Sequence, residues 1–290
     1  MSSVKKKILI VGGESKLAKN FMFFLKKKNI KFLYTEKKHK NKILCLNLRN
    51  VKSFKIPNNI TSAVFFAYKS NINYCEENYN DAQLINVKNT FELAKKFLKK
   101  KIFVLFLSSN LVFNNSVKNR YEDTKKIPVT NYGKMKSQAE DLIYKFCQKK
   151  KLSSYFSILR ITKVLDKKFD PVLNWKKKIN QGKVLKVPCD IYCCPINIKS
   201  LNNSIFKILN LSAKGIHHLS GKKEYSYYEL VKKLFNRKVS NQQVRKIHSY
   251  DLRKKIINSN IKTYLLQGKN SKKIGLKNIP LTSIKKELNI

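Results

Sequence analysis

The chain has 290 residues, 42% of them hydrophobic, and no Gly/Ser-rich linker, which suits one large domain or a core domain with a smaller one attached. Its formal net charge of +46 is carried almost wholly by lysine spread along the whole chain, the only arginines being Arg49, Arg120, Arg160, Arg237, Arg245 and Arg253. Base and phosphate readout leans on arginine's planar fork, so nucleic acid is not expected as the main partner. Apolar runs such as IFVLFL fall far short of the roughly 20 residues of a membrane span, so none is expected.

The opening MSSVKKKILIVGG has lysines near its start, but its apolar run is too short for a signal peptide and leads into glycines. A soluble, cytoplasmic protein is expected. A positive field of this size would speed the arrival of an anionic substrate, and salt would weaken it. The six cysteines are Cys45, Cys75, Cys147, Cys189, Cys193 and Cys194, and only CDIYCC clusters them. A zinc site wants two well-spaced pairs, often with histidine, and none of the four histidines lies near this cluster in sequence. Reduced thiols and no metal are therefore expected.

KKILIVGG is a short apolar run ending in glycine, a buried strand over about Lys7 to Val11. ESKLAKNFMFFLKKK follows as a helix, with Leu17, Phe21, Phe24 and Leu25 on one apolar face. IKFLYT, KILCLNL and SAVFFAY read as the second, third and fourth strands. DAQLINVKNTFELAKKFLKK reads as one long helix with Leu84, Val87, Phe91 and Ala94 in register. KIFVLFLSS is a fifth strand, VTNYGKMKSQAEDLIYKF a helix, and YFSILRI a sixth strand. Continuously apolar strands alternating with helices indicate an α/β fold, a doubly wound parallel sheet covered on both faces. Beyond about Thr162 the alternation weakens. A helix near Pro171 to Gln181, a strand KVLKV, a helix from about Lys199 to Leu209 and another in SYYELVKKLF predict a smaller, partly interleaved region.

The helix over residues 129–146 carries an anomaly. At 100° per residue, Met135, Ala139, Leu142, Ile143 and Phe146 share one side with Tyr132 and Lys136, while Lys134, Gln138, Asp141 and Lys145 lie opposite. An ammonium on an apolar face is costly unless it is paired or its pKa falls. One use is chemical. A phenol of pKa about 10 is a poor acid–base catalyst at neutral pH, and a cation one turn away would favour its ionised form. The other is structural, a lysine that snorkels along the helix edge. Ser108 and Ser109 stand at the carboxyl end of the fifth strand, where an open parallel sheet keeps its active crevice. A serine there can hydrogen-bond the carbonyl oxygen that the tyrosine serves, or simply cap a turn.

These residues resemble the extended short-chain dehydrogenase/reductase superfamily, and within it the dTDP-4-dehydrorhamnose reductase family of nucleotide-sugar reductases. The resemblance runs along nearly the whole chain. YKSNINYCEENYNDAQLINVKNT, with Glu76 and Asn86, is similar to the segment after the fourth strand. LSSNLVFNN and YEDTKKIPVTNYGKMKSQAE resemble the catalytic strand, loop and Tyr-x-x-x-Lys helix. ILRITKV, DIYCCPINI, KGIHHLSGKKEYSYYEL and IPLTSIKKEL resemble the later elements, DIYCCPINI lying near the nucleotide end of the substrate.

The resemblance implies a Rossmann-like dinucleotide-binding domain over residues 1–162. A substrate-binding region over 163–290 would be partly interleaved with it, about 196–220 packing back on the core. It implies Tyr132 as proton donor, Lys136 holding the nicotinamide ribose and lowering the phenol pKa, and Ser109 orienting the substrate carbonyl. NADPH or NADH would be the cofactor, met by Gly12, Gly13, Ser15, Lys16, Leu17, Lys37, Asn47, Leu48, Ala67, Tyr68 and Asn86 besides Tyr132 and Lys136. Ser70, Ser109, Asn110, Lys163, Cys194 and Pro195 would face the substrate. The implied reaction is reduction of a keto group on a nucleotide-activated sugar, within polysaccharide biosynthesis, by an enzyme partnered by its nucleotide sugar and a second copy of the chain. Rival readings are an epimerase or dehydratase of the same superfamily, or a non-catalytic nucleotide-binding regulatory subunit.

The chain also departs from the family pattern. The phosphate loop Gly-x-x-Gly-x-x-Gly becomes Gly12, Ser15 and Ala18, with Glu14 and Lys16 beside it. Asn110 stands where Asp is frequent, Leu111 and Lys163 where aromatics are. Thr35, Glu36, Lys37 and Lys38 follow the second strand and mix the acid that favours NAD with the cations that favour NADP.

Overall fold

The computed structural model describes residues 7–37, 44–114, 120–236, 238–240, 242–251 and 265–290. Lys38 and the first two residues of the expected third strand lie outside them. In chain order the elements are β1 (Ile8–Val11), α1 (Lys16–Lys27), β2 (Phe32–Glu36), β3 (Leu44–Cys45), β4 (Ser62–Phe65), α2 (Ile72–Glu77), α3 (Tyr79–Gln83), a π-helical turn (Leu84–Asn89), α4 (Thr90–Lys99) and β5 (Phe103–Ser109). There follow α5 (Asn131–Lys149), β6 (Phe156–Ile161), β7 (Lys163–Leu165), α6 (Val172–Asn180), β8 (Leu185–Pro188), β9 (Tyr192–Cys193), β10 (Pro195–Asn197) and α7 (Ile198–Leu211). The last are β11 (Gly215–Leu219), β12 (Tyr225–Ser226), α8 (Tyr227–Leu234), β13 (Val244–Ile247), α9 (Lys269–Lys273) and α10 (Leu281–Leu288).

Seven strands form one sheet in the order β11-β6-β5-β4-β1-β2-β3, and β1 pairs with both β2 and β4 in parallel. The chain winds outward from β1 to β3 and then returns to β4 beside β1, so the order reverses between β1 and β4. In such sheets ligands bind beyond the carboxyl ends of the strands at this reversal. The expected α/β, doubly wound sheet is therefore the fold found. The seventh strand, GIHHL, was not anticipated. Its two histidines break the apolar run, yet His217 and His218 are both buried. The expected long helix over 81–100 is divided by the π-helical turn, which a pattern of apolar residues does not reveal.

The chain packs as two compact units. The first comprises residues up to Ser109, Asn131–Arg160 and Asn202–His217. Its central strands β1, β4 and β5 are buried on both faces, and Leu93, Ala94, Phe97 and Leu98 of α4 join Val104, Phe106, Ala139 and Ile143 in its main core. The second comprises Asn110–Thr130, Ile161–Leu201 and His218–Ile290. Trp175, Leu185, Val187, Leu230, Leu234, Val244 and Ile284 centre its core. Three two-stranded pairs build it: β7 with β10, β9 with β12, and β8 with β13. Among the described residues no helix is long and apolar enough to cross a membrane.

Candidate active site

The first unit brings together the turn after β1, the loop after β4, the tip of β5 and the start of α5. Gly12 adopts φ +88°, and a Cβ built on it would stand 2.6 Å from the Ala67 Cβ. Only glycine fits, because the chain leaving β4 crosses against it: the Phe66 and Ala67 N–H groups both donate to the Val11 carbonyl. The turn is pinned to β2 as well. Gly12 N–H donates to Thr35 Oγ1 at 2.9 Å, and Gly13 N–H to the Thr35 carbonyl at 2.8 Å. A Cβ on Gly13 would meet the Tyr34 ring at 2.6 Å. Ser15 then starts α1 with φ −61° and ψ 138°, ordinary extended angles, and its hydroxyl makes no capping bond. Ala18 is buried, Leu17 half-buried, and Glu14 and Lys16 are exposed at the mouth of the turn.

Asn86 lies within the π-helical turn and is fully buried. Its amide makes a two-way bond with the backbone of Lys69: Lys69 N–H donates to Oδ1 at 2.9 Å, and Nδ2 donates to the Lys69 carbonyl at 3.1 Å. It thereby shapes the loop that carries Ala67 and Tyr68. Ser70 is exposed on that loop. Asn47 Oδ1 accepts from Arg49 N–H, and the Leu48 carbonyl accepts at 2.8 Å from Nδ2 of Asn89, which lies in the same π-helical turn as Asn86. Lys37 is exposed just past β2.

Glu76 caps α5, its Oε1 accepting from Asn131 N–H at 2.8 Å. Tyr132, in the first turn, packs with Tyr68, Tyr74, Cys75 and Met135 and shares a hydrogen bond with the Ser109 side chain. Ser108, by contrast, keeps its buried hydroxyl without a partner. Lys136 is only 4% exposed. Its ammonium donates to the Leu107 carbonyl at 2.7 Å and lies 3.4 Å from the centroid of the Tyr68 ring and 4.5 Å from that of Phe106. Tyr68 in turn meets Tyr132 edge-on at 5.6 Å. Tyr132 and Lys136 thus both meet the Tyr68 ring, whose own hydroxyl is buried without a partner, and Ser109 joins them through its bond to Tyr132.

The electrostatics differ from the expectation in one respect. Burial lowers the Lys136 pKa to about 7, partly opposed by Glu140. Burial likewise raises the Tyr132 pKa, Cys75 adding to the rise and the Ser109 hydrogen bond opposing it. Lys136 was expected to lower the phenol pKa. Here its charge is spent on the Leu107 carbonyl and the Tyr68 face, and desolvation governs the phenol.

Two side chains of this region were not anticipated. Glu140 and Arg160 are each about 1% exposed and form a buried fork, Nη2 to Oε2 at 2.8 Å and Nε to Oε1 at 3.1 Å. The buried face of α5 is consequently turned toward Glu140, and Leu142, expected inside, is 40% exposed. The signal was present in ILRITKV, since an arginine within a buried strand demands a carboxylate.

The remaining expected substrate residues belong to the second unit. Asn110 opens a 3₁₀ turn and is buried. Lys163 and Pro195 are register partners across β7 and β10. Burial lowers the Lys163 pKa. Cys194 follows the strand β9, its thiol donating to the carbonyls of Gly221 and Lys223, both at 3.3 Å.

The fold is similar to that of a dTDP-4-dehydrorhamnose reductase from Yersinia enterocolitica, with TM-score 0.80 and 19% identity over 98% of this chain and 99% of that one. It is similar to a dTDP-4-dehydrorhamnose reductase from Bacillus anthracis in complex with NADP, with TM-score 0.79 and 19% identity over 98% of each chain. It also resembles a dTDP-glucose 4,6-dehydratase from Streptomyces venezuelae with NAD bound, with TM-score 0.77 and 14% identity over 98% of this chain and 96% of that one. Identities this low bear on the fold alone. No curated protein sequence matches the chain. The family model described as RmlD substrate binding domain matches residues 6–271, and the chain belongs to that family, in keeping with what its Tyr-x-x-x-Lys helix and strand-tip serine suggest.

Proposed function

We propose that the chain is an NAD(P)H-dependent reductase acting on a keto group of a nucleotide-activated sugar, in the manner of a dTDP-4-dehydrorhamnose reductase. The observation that carries this reading is the meeting of Tyr132 with Ser109 beside a buried Lys136, at the carboxyl end of a sheet strand. A dinucleotide suits the residues present. The turn after β1 leads straight into the start of α1, where a phosphate can meet backbone N–H groups, and Tyr68 and Ser108 hold buried hydroxyls without partners. Gly12, Gly13, Ser15, Lys16 and Leu17 would meet the phosphates, Ala67, Tyr68 and Asn86 the inner face of the cofactor, and Lys136 its ribose. A reduced nicotinamide held there would supply the hydride for the carbonyl carbon. Glu36 at the end of β2 and Lys37 just past it leave both NADH and NADPH as candidates, and the reductase of Bacillus anthracis holds NADP.

The chain's own groups account for the proton. A phenol whose pKa is raised stays protonated at neutral pH, as a donor to a forming alkoxide must. Ser109 would hold the carbonyl oxygen in line with that proton. Lys136, with a pKa of about 7, would carry its charge below neutrality and steady the phenolate left after transfer. Ser70, Asn110, Lys163, Cys194 and Pro195 would bind the sugar nucleotide. Lysine and asparagine at positions where relatives carry aromatic and acidic residues point to a sugar other than the rhamnose precursor. Asn110 also weighs against a dehydratase, which needs an acid beside the catalytic hydroxyl. The test is turnover of a panel of 4-keto nucleotide sugars with NADPH and NADH, comparing the wild type with Tyr132→Phe. Equal rates would remove the assigned role. Failure of either dinucleotide to bind by calorimetry would favour a regulatory subunit.

A further inference from the structure

We propose that Cys189, Asp190 and His248 form a metal site in the second unit, for a borderline-soft divalent cation of the Zn²⁺ class. The strand register brings them together from 59 residues apart. β8 and β13 run in parallel, ending with Pro188 opposite Ile247, and the Cys189 N–H donates to the Ile247 carbonyl at 3.0 Å. One step further along both chains sets Cys189 beside His248. The sequence sets no histidine near CDIYCC, but the sheet pairing does.

The thiol sulfur is 3.9 Å from each ring nitrogen, and His248 Nδ1 is 3.9 Å from Asp190 Oδ2. All three ligand atoms fall within 4.8 Å of one another. Tetrahedral zinc with bonds of about 2.0–2.3 Å sets its ligand atoms roughly 3.3–3.8 Å apart, so the two 3.9 Å separations would close by a few tenths of an ångström and a pair at the 4.8 Å limit by about 1 Å. The sulfur stands equally far from both ring nitrogens, so the imidazole would turn to aim one of them at the shared centre. Thiolate, imidazole and carboxylate together match zinc's mixed preference and leave a fourth position for water.

The surroundings hold these ligands in place. Ser249 donates to Asp190 twice, from its N–H at 3.0 Å and from its hydroxyl at 2.7 Å, an outer-shell support of the kind that orients metal-binding carboxylates. His248 stacks on Tyr250 with ring centroids 5.4 Å apart. A chain of charge +46 repels free cations, so binding here would rest on the thiolate and carboxylate rather than on the general field. The ion would clamp the end of β8 to the end of β13.

The experiment uses the full chain, stripped with a chelator and titrated with Co²⁺, followed by Zn²⁺ competition. One equivalent of Co²⁺ should bind with a thiolate-to-cobalt charge-transfer band and the intense visible bands of four-coordination. Cys189→Ser should remove the charge-transfer band and weaken Zn²⁺ binding by more than about tenfold, the lower end of what losing even an outer-shell partner costs. His248→Gln should weaken binding and keep the band. Cys45→Ser, which removes an exposed thiol of the other unit, should change nothing. Zn²⁺ should raise the melting temperature of the wild type and not of Cys189→Ser. Absence of the band in the wild type, its survival in Cys189→Ser, or its loss in Cys45→Ser would overturn the proposal. None of these readouts depends on turnover, so they stand or fall apart from the reductase reading.

Discussion

The turn after β1 and the start of α5 lie in the same unit, yet they rest on different things. The turn is made of backbone. What it requires is a conformation, and only at Gly12, where a positive φ and the crossing chain at Ala67 exclude any Cβ. At Ser15 the angles are ordinary, so losing the family's second glycine costs the turn no strain. The α5 site is made of side chains. On the proposed reading the identities of Ser109, Tyr132 and Lys136 matter there, and neighbouring side chains hold them: Glu76 at the helix start, Tyr68 beneath the ammonium, and the buried Glu140–Arg160 fork one turn on. A motif written as letters treats both regions alike. The physical tolerance of each is different.

The comparison can be broken first at the phenol. Tyr132→Phe should lower kcat by about 10²- to 10⁴-fold, the usual worth of a placed general acid, while dinucleotide affinity by calorimetry stays unchanged. A comparable loss of affinity would mean the ring, and not its proton, is what matters. Glu140→Gln should cost about 3–5 kcal/mol in urea unfolding, because it strands a buried guanidinium. A cost near zero would show the fork to be hydrated.

Gly12→Ala tests the backbone side and should cost about 1–3 kcal/mol or more, with loss of dinucleotide binding. Ser15→Gly should stay within about 0.5 kcal/mol of wild type and bind the dinucleotide at least as tightly. If Ser15→Gly instead weakens binding, the serine hydroxyl is a phosphate ligand and the turn is not indifferent to side chains. The smallest effect is a pH trend. Lys136 has a folded pKa of about 7, below that of an unfolded lysine near 10.4. Between the two the unfolded chain holds more protons, so stability gained as pH rises belongs to this group. Lys136→Met removes that slope. Its advantage in urea midpoint over wild type should be largest below about pH 7 and shrink toward about pH 10, and a constant advantage would contradict the assignment.

Much of this was legible in the sequence. Apolar strands alternating with helices announce the sheet, and the cluster of Tyr132 and Lys136 on the buried side of α5 announces a site. What escaped shares one cause: it depends on partners distant in sequence. GIHHL is polar in composition but becomes a buried strand, and His218 is satisfied there by the Gln267 carbonyl. Glu140 reads as a surface acid until Arg160 arrives from β6. The seat of Lys136 on Tyr68 and Leu107 needs the loop after β4 to be placed first, and the pairing of Cys189 with His248 needs a strand register. Helical period gives a face, but not who stands opposite.

The π-helical turn between α3 and α4 winds one residue more per turn than its neighbours. Winding the same residues as an ordinary α-helix, with none removed, would rotate everything upstream by about 100° relative to α4. Asn86 would swing off Lys69, and Asp81 would leave Arg49, which it now grips at 2.6 Å. The sheet would be untouched, while the loop beneath the ammonium would lose its anchor. The wide turn therefore sets the rotational phase of the segment that anchors this loop, so its winding bears on the pocket while leaving the sheet alone.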